Sequence, residues 1–183
     1  MAEVRFERWE GPEAARQLDA FLPAYEEVYA EPPYCEGPRD VAEFIDHYRQ
    51  QIRSRPGFRL VLAYDGGQVV GFGYGYRLPA DTKWWGNLLE PVPVEFARET
   101  GVRTFAVIEL AVRKPWRRQG VAAGLHAQLL EGLAVERVTL TVRPEPEAAP
   151  ARAAYEAWGY RTVGRSHPWP EAPVYDAMVL DLR

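Results

Sequence analysis

The densest chemistry in the sequence is "RKPWRRQGVAAGLH", residues 113–126. Arg113, Lys114, Arg117 and Arg118 precede an Ala/Leu-rich helical stretch, with Gly120 at the junction. A helix start leaves its first N–H groups unpaired and carries partial positive charge, so it can receive an anion. Gly120 allows either close backbone approach or a dihedral that other residues avoid, and Ala122 is small enough not to block the next turn. Arg117 and Arg118 would add charge-assisted hydrogen bonds to a phosphate or pyrophosphate. Composition alone leaves a solvated basic connection equally open. No Gly-Lys-Ser/Thr follows, which disfavours hydrolysis of a nucleoside triphosphate.

The chain around this loop is acidic, with a net charge of −4 over 183 residues, 47% of them hydrophobic. That length suits one domain, expected over residues 1–183. The charge offers no general attraction for nucleic acid or an anionic membrane, so neither is expected as a partner. The one cysteine, Cys35, excludes an internal disulfide. Nothing resembling a signal peptide opens the chain, and no apolar run approaches the ~18 residues needed to span a bilayer. The expected location is the cytoplasm. His47, His126 and His167 lack metal-ligand spacing, so no metal is expected.

The elements that must position the loop follow from periodicity. Alternation over 3–9 predicts a strand, and 12–31 a helix with Leu18, Phe21, Leu22, Tyr25 and Tyr29 on one face, bent or divided at Pro23. A second helix is expected over 40–54, with Asp40 as N-cap and Glu43 completing a capping box. Its buried stripe would be Val41, Phe44, Ile45, Tyr48 and Ile52. Two strands flank the turn Asp65-Gly66-Gly67-Gln68. In the second of them Gly71, Gly73 and Gly75 share a face, read as close packing against a helix or neighbouring backbone. An irregular insertion, 79–102, holds Trp84-Trp85. Then come a buried strand (104–112), the basic loop with a helix to about Leu133, a strand (136–142), a helix (148–158) and two last strands. The order indicates a mixed α/β (α+β) domain.

Arg117-Arg118-Gln119-Gly120-Val121-Ala122 resembles the Arg/Gln-x-x-Gly-x-Gly/Ala signature of the GNAT superfamily of acyl-CoA-dependent N-acyltransferases. It stands between a strand and a helix, as it does in that family. Downstream, "PARAAYEAWGYRTVGR" resembles the family's helix with a tyrosine, followed by aromatic-Gly-aromatic and a strand. The resemblance implies a central mixed, mostly antiparallel sheet with a splayed pair of strands, flanked by helices. It implies acetyl-CoA as acyl donor, with the pantetheine arm against backbone of Leu110, Ala111 and Val112. An N–H near Val112 would polarise the thioester carbonyl. Backbone N–H groups of Arg118, Gln119, Gly120, Val121 and Ala122 would hold the pyrophosphate. Tyr155 matches the residue that often protonates the departing thiolate; as part of the helical stripe Ala151, Ala154, Tyr155 and Trp158, it also reads as core. One departure is Ala148, where many members place an asparagine that contacts the CoA arm.

An amine must be neutral to attack a thioester, and an alkyl ammonium has a pKa of ~10, so a base or water relay is expected. Glu109, at the centre of the strand, is the leading candidate, since a carboxylate in an apolar strand is costly without a purpose. The competing reading is an ion pair with an arginine such as Arg103. His126 is expected to be packed or solvent-facing, and Asp176 is a weaker candidate for substrate contact. In the family the first two helices and their junction wall the acceptor side. Here Tyr25, Tyr29 and Tyr34 are interleaved there with Glu26, Glu27, Glu31 and Glu36, a receptor for a cationic amine by charge and cation–π attraction. Core tyrosines on a solvated acidic helix are the alternative. Trp84 could form another wall or a homodimer contact. The expected activity is direct acetyl transfer to a primary amine of a small molecule. A protein or peptide N-acetyltransferase and an inactive CoA-binding module are the rival readings.

Overall fold

The computed structural model describes residues 3–183, so the first two residues of the domain expected over 1–183 lie outside the described residues. In chain order the elements are β1 (Val4–Glu10), α1 (Pro12–Ala15), α2 (Leu18–Tyr29), α3 (Pro38–Ser54), β2 (Arg59–Asp65), β3 (Gln68–Arg77) and α4 (Val94–Ala97). They continue with β4 (Thr104–Val112), α5 (Val121–Leu130), β5 (Arg137–Val142), α6 (Ala149–Ala157), β6 (Arg161–Ser166) and β7 (Tyr175–Asp181). The strands are ordered β1-β2-β3-β4-β5-β7-β6. β4 and β5 are parallel, whereas β1/β2, β2/β3, β5/β7 and β6/β7 are antiparallel. This is the mixed, mostly antiparallel sheet with flanking helices expected from the sequence. By contact the chain forms two compact units, Met1–Tyr76 with Val107–Leu133 and Arg77–Ala106 with Ala134–Arg183.

In the first unit, the aromatic faces of α2 and α3 converge on the β2–β3 hairpin. Phe21 packs 5.3 Å from Tyr48 and 5.1 Å from Phe72 between ring centroids, and Tyr48 lies 5.2 Å from Tyr74. The two contacts of Tyr48 are edge-on, a geometry that uses ring quadrupoles as well as burial. The Tyr48 hydroxyl donates to the carbonyl of Ala14 at 2.7 Å, so the deepest phenol is satisfied. The first helical stretch divides at Arg16-Gln17, not at Pro23. There the amides of Arg16 and Gln17 turn back to Glu13 and Ala14 in tight three-residue bonds, while Pro23 sits inside α2. α3 starts earlier than expected because Pro38 supplies the first-turn dihedral. Asp40 is then the third helical residue, and its carboxylate accepts from the Gly37 amide at 2.9 Å. Phe44 and Tyr48 carry the burial of α3, with Val41, Ile45 and Ile52 half-buried.

The glycine face of β3 has a steric cause. A Cβ on Gly71 would lie 3.1 Å from both the Ala111 carbonyl oxygen and a Leu125 methyl. One on Gly73 would lie 3.0 Å from a Leu110 methyl and 3.3 Å from the Glu109 carbonyl oxygen. β4 and α5 therefore both press on this face, which fixes where Glu109–Val112 and the start of α5 stand. In the second unit, β5 pairs with β7 over Arg137–Val142, and Val138, Leu140, Met178 and Val179 fill the core. The insertion carries a short turn at Trp85–Asn87 and α4.

Candidate active site

Two features of the first unit come together on β4 and the loop after it. Tyr29, the last residue of α2, donates its phenolic hydrogen to Oε2 of Glu109. The Tyr29 ring lies 4.5 Å from Tyr25 and 4.8 Å, edge-on, from Tyr34. Tyr25 in turn donates to Glu36 at 2.7 Å. Loss of water pushes the Glu109 carboxyl up to about 8; the negative charge of Glu36 adds to this, while the Tyr29 hydrogen bond opposes it. Burial, with Glu109 adding, holds the Tyr25 and Tyr29 phenols well above their ordinary range, so both remain donors at neutral pH. The ion-pair reading of Glu109 is not what forms. Arg103 instead bonds Glu136 at 2.9 Å and the carbonyls of Glu95, Phe96 and Arg98.

The basic loop is shaped as a helix entrance. Gly120 has φ 80 and ψ 6, in the left-handed region, and a Cβ there would meet nothing within 4 Å. The dihedral, not crowding, explains this glycine. Arg118 also has a positive φ, 63. The first α5 bond runs from Gly124 N to Gly120 O at 3.0 Å, so the amides of Val121, Ala122 and Ala123 precede the helical ladder. Lys114, Arg118 and Gln119 are exposed, whereas Ala111, Val112 and Val121 are buried. The four cations are not equivalent. Arg113 pairs with Glu27 at 2.5 Å, and Arg117 takes Glu31 through both terminal nitrogens, at 3.2 and 2.6 Å. The Nε of Arg117 also donates to the Val112 carbonyl at 2.8 Å. Two of the carboxylates expected to face an acceptor are thus bonded to the loop.

In the second unit Tyr155 is buried on α6, 5.7 Å from the Trp158 ring and 5.8 Å from Tyr160. Ala148, also buried, caps the start of α6. Asp176 is paired with Arg152. Trp84 is half-exposed, while Trp85 is buried against Glu99 and Arg137. His126, in the first unit, is buried and pushed down to about 4, so its imidazole is neutral in the physiological range.

The sequence matches the acetyltransferase (GNAT) family over residues 21–160. The chain belongs to this family. It is therefore an acyltransferase of the GNAT type, and solved structures agree on the fold. An aminoglycoside acetyltransferase from an uncultured soil metagenomic sample superposes with a TM-score of 0.60 at 21% identity, covering 93% of this chain and 99% of that one. Arabidopsis thaliana NAA60, solved with acetyl-CoA, gives 0.62 at 16% identity over 98% and 99%. The ribosomal-protein-S18-alanine N-acetyltransferase of Escherichia coli gives 0.63 at 16% identity over 98% and 94%. At these identities the likeness speaks for the fold alone. No curated protein matches the sequence.

Two features of this GNAT chain escape sequence reasoning. One is the pairing of Arg113 with Glu27 of α2 and of Arg117 with Glu31 just after it, each joined across 86 residues. The other is the Glu99–Arg137 pair, 2.8 Å apart, with exposures of 0% and 4%. Neither leaves a local signal, since each partner looks like an ordinary surface charge in its own segment. Among the described residues no cluster of three or more His, Cys, Asp or Glu could hold a metal ion, and no helix is long and apolar enough to cross a membrane.

Proposed function

We propose that this GNAT member transfers an acetyl group from acetyl-CoA directly to a primary amine of a small molecule, with Glu109 as the base. The observation that carries the reading is Glu109 itself: a carboxylate at the centre of β4, held by Tyr29 rather than by a cation, with a proton affinity raised to about 8. An ordinary carboxylate would take a proton from an ammonium of pKa ~10 at a cost of about six pKa units, on the order of 8 kcal/mol. Raised to about 8, Glu109 needs about two units, roughly 3 kcal/mol. That is within reach of a step followed by irreversible attack.

In the proposed sequence Glu109 accepts a proton from the ammonium, directly or through one water. The neutral nitrogen then attacks the thioester carbon, whose oxygen is polarised by the N–H near Val112. The new C–N bond forms as the C–S bond breaks, and the CoA thiolate takes a proton, for which Tyr155 is the proposed donor; the nitrogen loses its second proton to solvent as the amide forms, and the Tyr155 phenolate regains one from solvent. A phenol of pKa ~10 can serve a thiolate of pKa ~8.5 at small cost. Glu109 returns its proton to solvent. Leu110, Ala111 and Val112 are proposed to pair with the pantetheine arm. The amides of Arg118–Ala122, at the entrance to α5, are proposed to receive the pyrophosphate. Tyr34 and Trp84 are proposed on the acceptor side, with Tyr29 shared between acceptor and base. We take the chain to work as one GNAT domain in the cytoplasm, with Trp84 as the first residue to probe for a homodimer contact.

The test is a panel of primary amines, and of peptides with free α-amines, incubated with acetyl-CoA while free thiol is followed. Turnover on small amines that exceeds turnover on peptides supports the reading. Turnover confined to peptides would replace it with peptide N-acetylation. CoA binding with no turnover on either set would replace it with a non-catalytic CoA-binding module.

A further inference from the structure

The basic loop is tied by a two-rung ladder to the last turns of α2, through Glu27, and to the turn just after it, through Glu31. Glu27 and Glu31 stand one helical turn apart by sequence, and they meet Arg113 and Arg117, which are also four residues apart. The second rung has the richer geometry. Both terminal nitrogens of Arg117 fork onto the two oxygens of Glu31, while its Nε points back to the carbonyl of Val112, the last residue of β4. A forked guanidinium–carboxylate pair fixes direction as well as charge. Between the rungs, Tyr29 of α2 bonds Glu109 of β4. Over Glu27–Glu31, one short stretch of chain is therefore attached to β4 and its loop at three points, Arg113, Glu109 and Arg117.

We infer that Glu31, acting through Arg117, is a positioning residue for acyl transfer: it sets the end of β4 and the loop against the helix that carries Tyr29. Stability alone does not explain the rung, because both partners keep substantial exposure, 40% and 31%, and pairs of that kind contribute little to folding. Phosphate binding does not explain it either. The guanidinium is already engaged at all three nitrogens, by Glu31 and by Val112 O. Of the four cations, Arg113 and Arg117 belong to the ladder, and Lys114 and Arg118, both exposed, stand outside it. The inference rests on the acetyl-transfer reading, because what is positioned is the reacting strand relative to Tyr29 and Glu109.

The experiment compares the parent, Glu31→Gln and the reversed pair Glu31→Arg/Arg117→Glu. Three quantities are measured: kcat, direct CoA affinity by calorimetry, and amide hydrogen exchange over residues 110–120. A misplacement well under 1 Å suffices for about a tenfold loss of rate. Glu31→Gln should lower kcat about tenfold, leave CoA affinity within about twofold, and speed exchange at the end of β4. The reversed pair restores the charges but not the guanidinium on Val112 O, so it should fail to rescue kcat. An unchanged kcat in Glu31→Gln overturns the inference. So does a loss confined to CoA affinity, or full rescue by the reversed pair. If the parent itself turns over no amine, the acetyl-transfer reading fails on that result alone. Exchange in Glu31→Gln still reports separately whether the ladder holds the loop.

Discussion

Glu99 is buried and Glu109 half-buried in this chain, and the protein treats the two in opposite ways. In the second unit, Oε2 of Glu99 accepts from Trp85 Nε1 at 2.7 Å, Thr104 Oγ1 at 2.8 Å and the Arg137 guanidinium at 2.8 Å. The Arg137 guanidinium also lies against two rings, 4.7 Å from Trp85 and 4.4 Å from Phe96. In the first unit, among the described residues, Glu109 has a phenol and no comparable cation, and its carboxyl is held up to about 8. Burial with a matched cation fastens the insertion to the starts of β4 and β5, whereas partial burial without one leaves a group whose protonation can change near neutral pH. On the proposed reading, the difference separates a structural carboxylate from the catalytic one.

Exchanging charge for amide at the two positions should therefore produce opposite phenotypes. Glu109→Gln keeps the shape and removes the proposed base, so kcat should fall by about 10²–10⁴ with the fold intact. The same substitution should alter the pH dependence of stability. Because folding raises the Glu109 pKa, the folded chain holds the extra proton between the ordinary carboxylate range and about 8. Stability should fall as pH rises through that window, and Glu109→Gln should flatten the fall in a denaturant titration. Glu99→Gln breaks a buried pair, so it should cost about 3–5 kcal/mol in chemical unfolding, with kcat unchanged below the transition. Tyr29→Phe tests the phenol on the base. Losing a hydrogen bond to a charged group should lower the rate about tenfold, and the pH–rate limb should move upward, since that bond favours the ionised carboxyl. Gly120→Ala should have the smallest effect, about 1–2 kcal/mol of stability, from forcing a Cβ into a left-handed residue with open space around it.

What the sequence discloses follows the range of each interaction. β4 is found over Thr104–Val112, the span its apolar run predicts, because alternation and β-branching are local. The glycine face of β3 and the left-handed Gly120 are local too, and the structure supplies their neighbours. The division of the first helix is misplaced because proline is the more visible signal, whereas the break at Arg16-Gln17 is made by backbone bonds that any residue can form. Glu109 stands out as an acid in an apolar strand, but its partner Tyr29 lies 80 residues away, and whether an arginine or a phenol would meet it is a matter of packing. The fates of Arg113 and Arg117 are hidden for the same reason. Four clustered cations look alike in sequence, and only the placement of Glu27 and Glu31 divides them into two paired with carboxylates and two that are not in the ladder.

The central claim is that Glu109 is a carboxyl poised to take a proton from an amine near neutral pH. The most direct measurement is a carboxyl-carbon NMR titration of the 13C-Glu-labelled protein, with the Glu109 signal assigned by its loss in Glu109→Gln. The account predicts a midpoint near 8, matched by the lower limb of the kcat/KM profile for the amine. A midpoint in the ordinary carboxylate range, with activity following some other group, would contradict it.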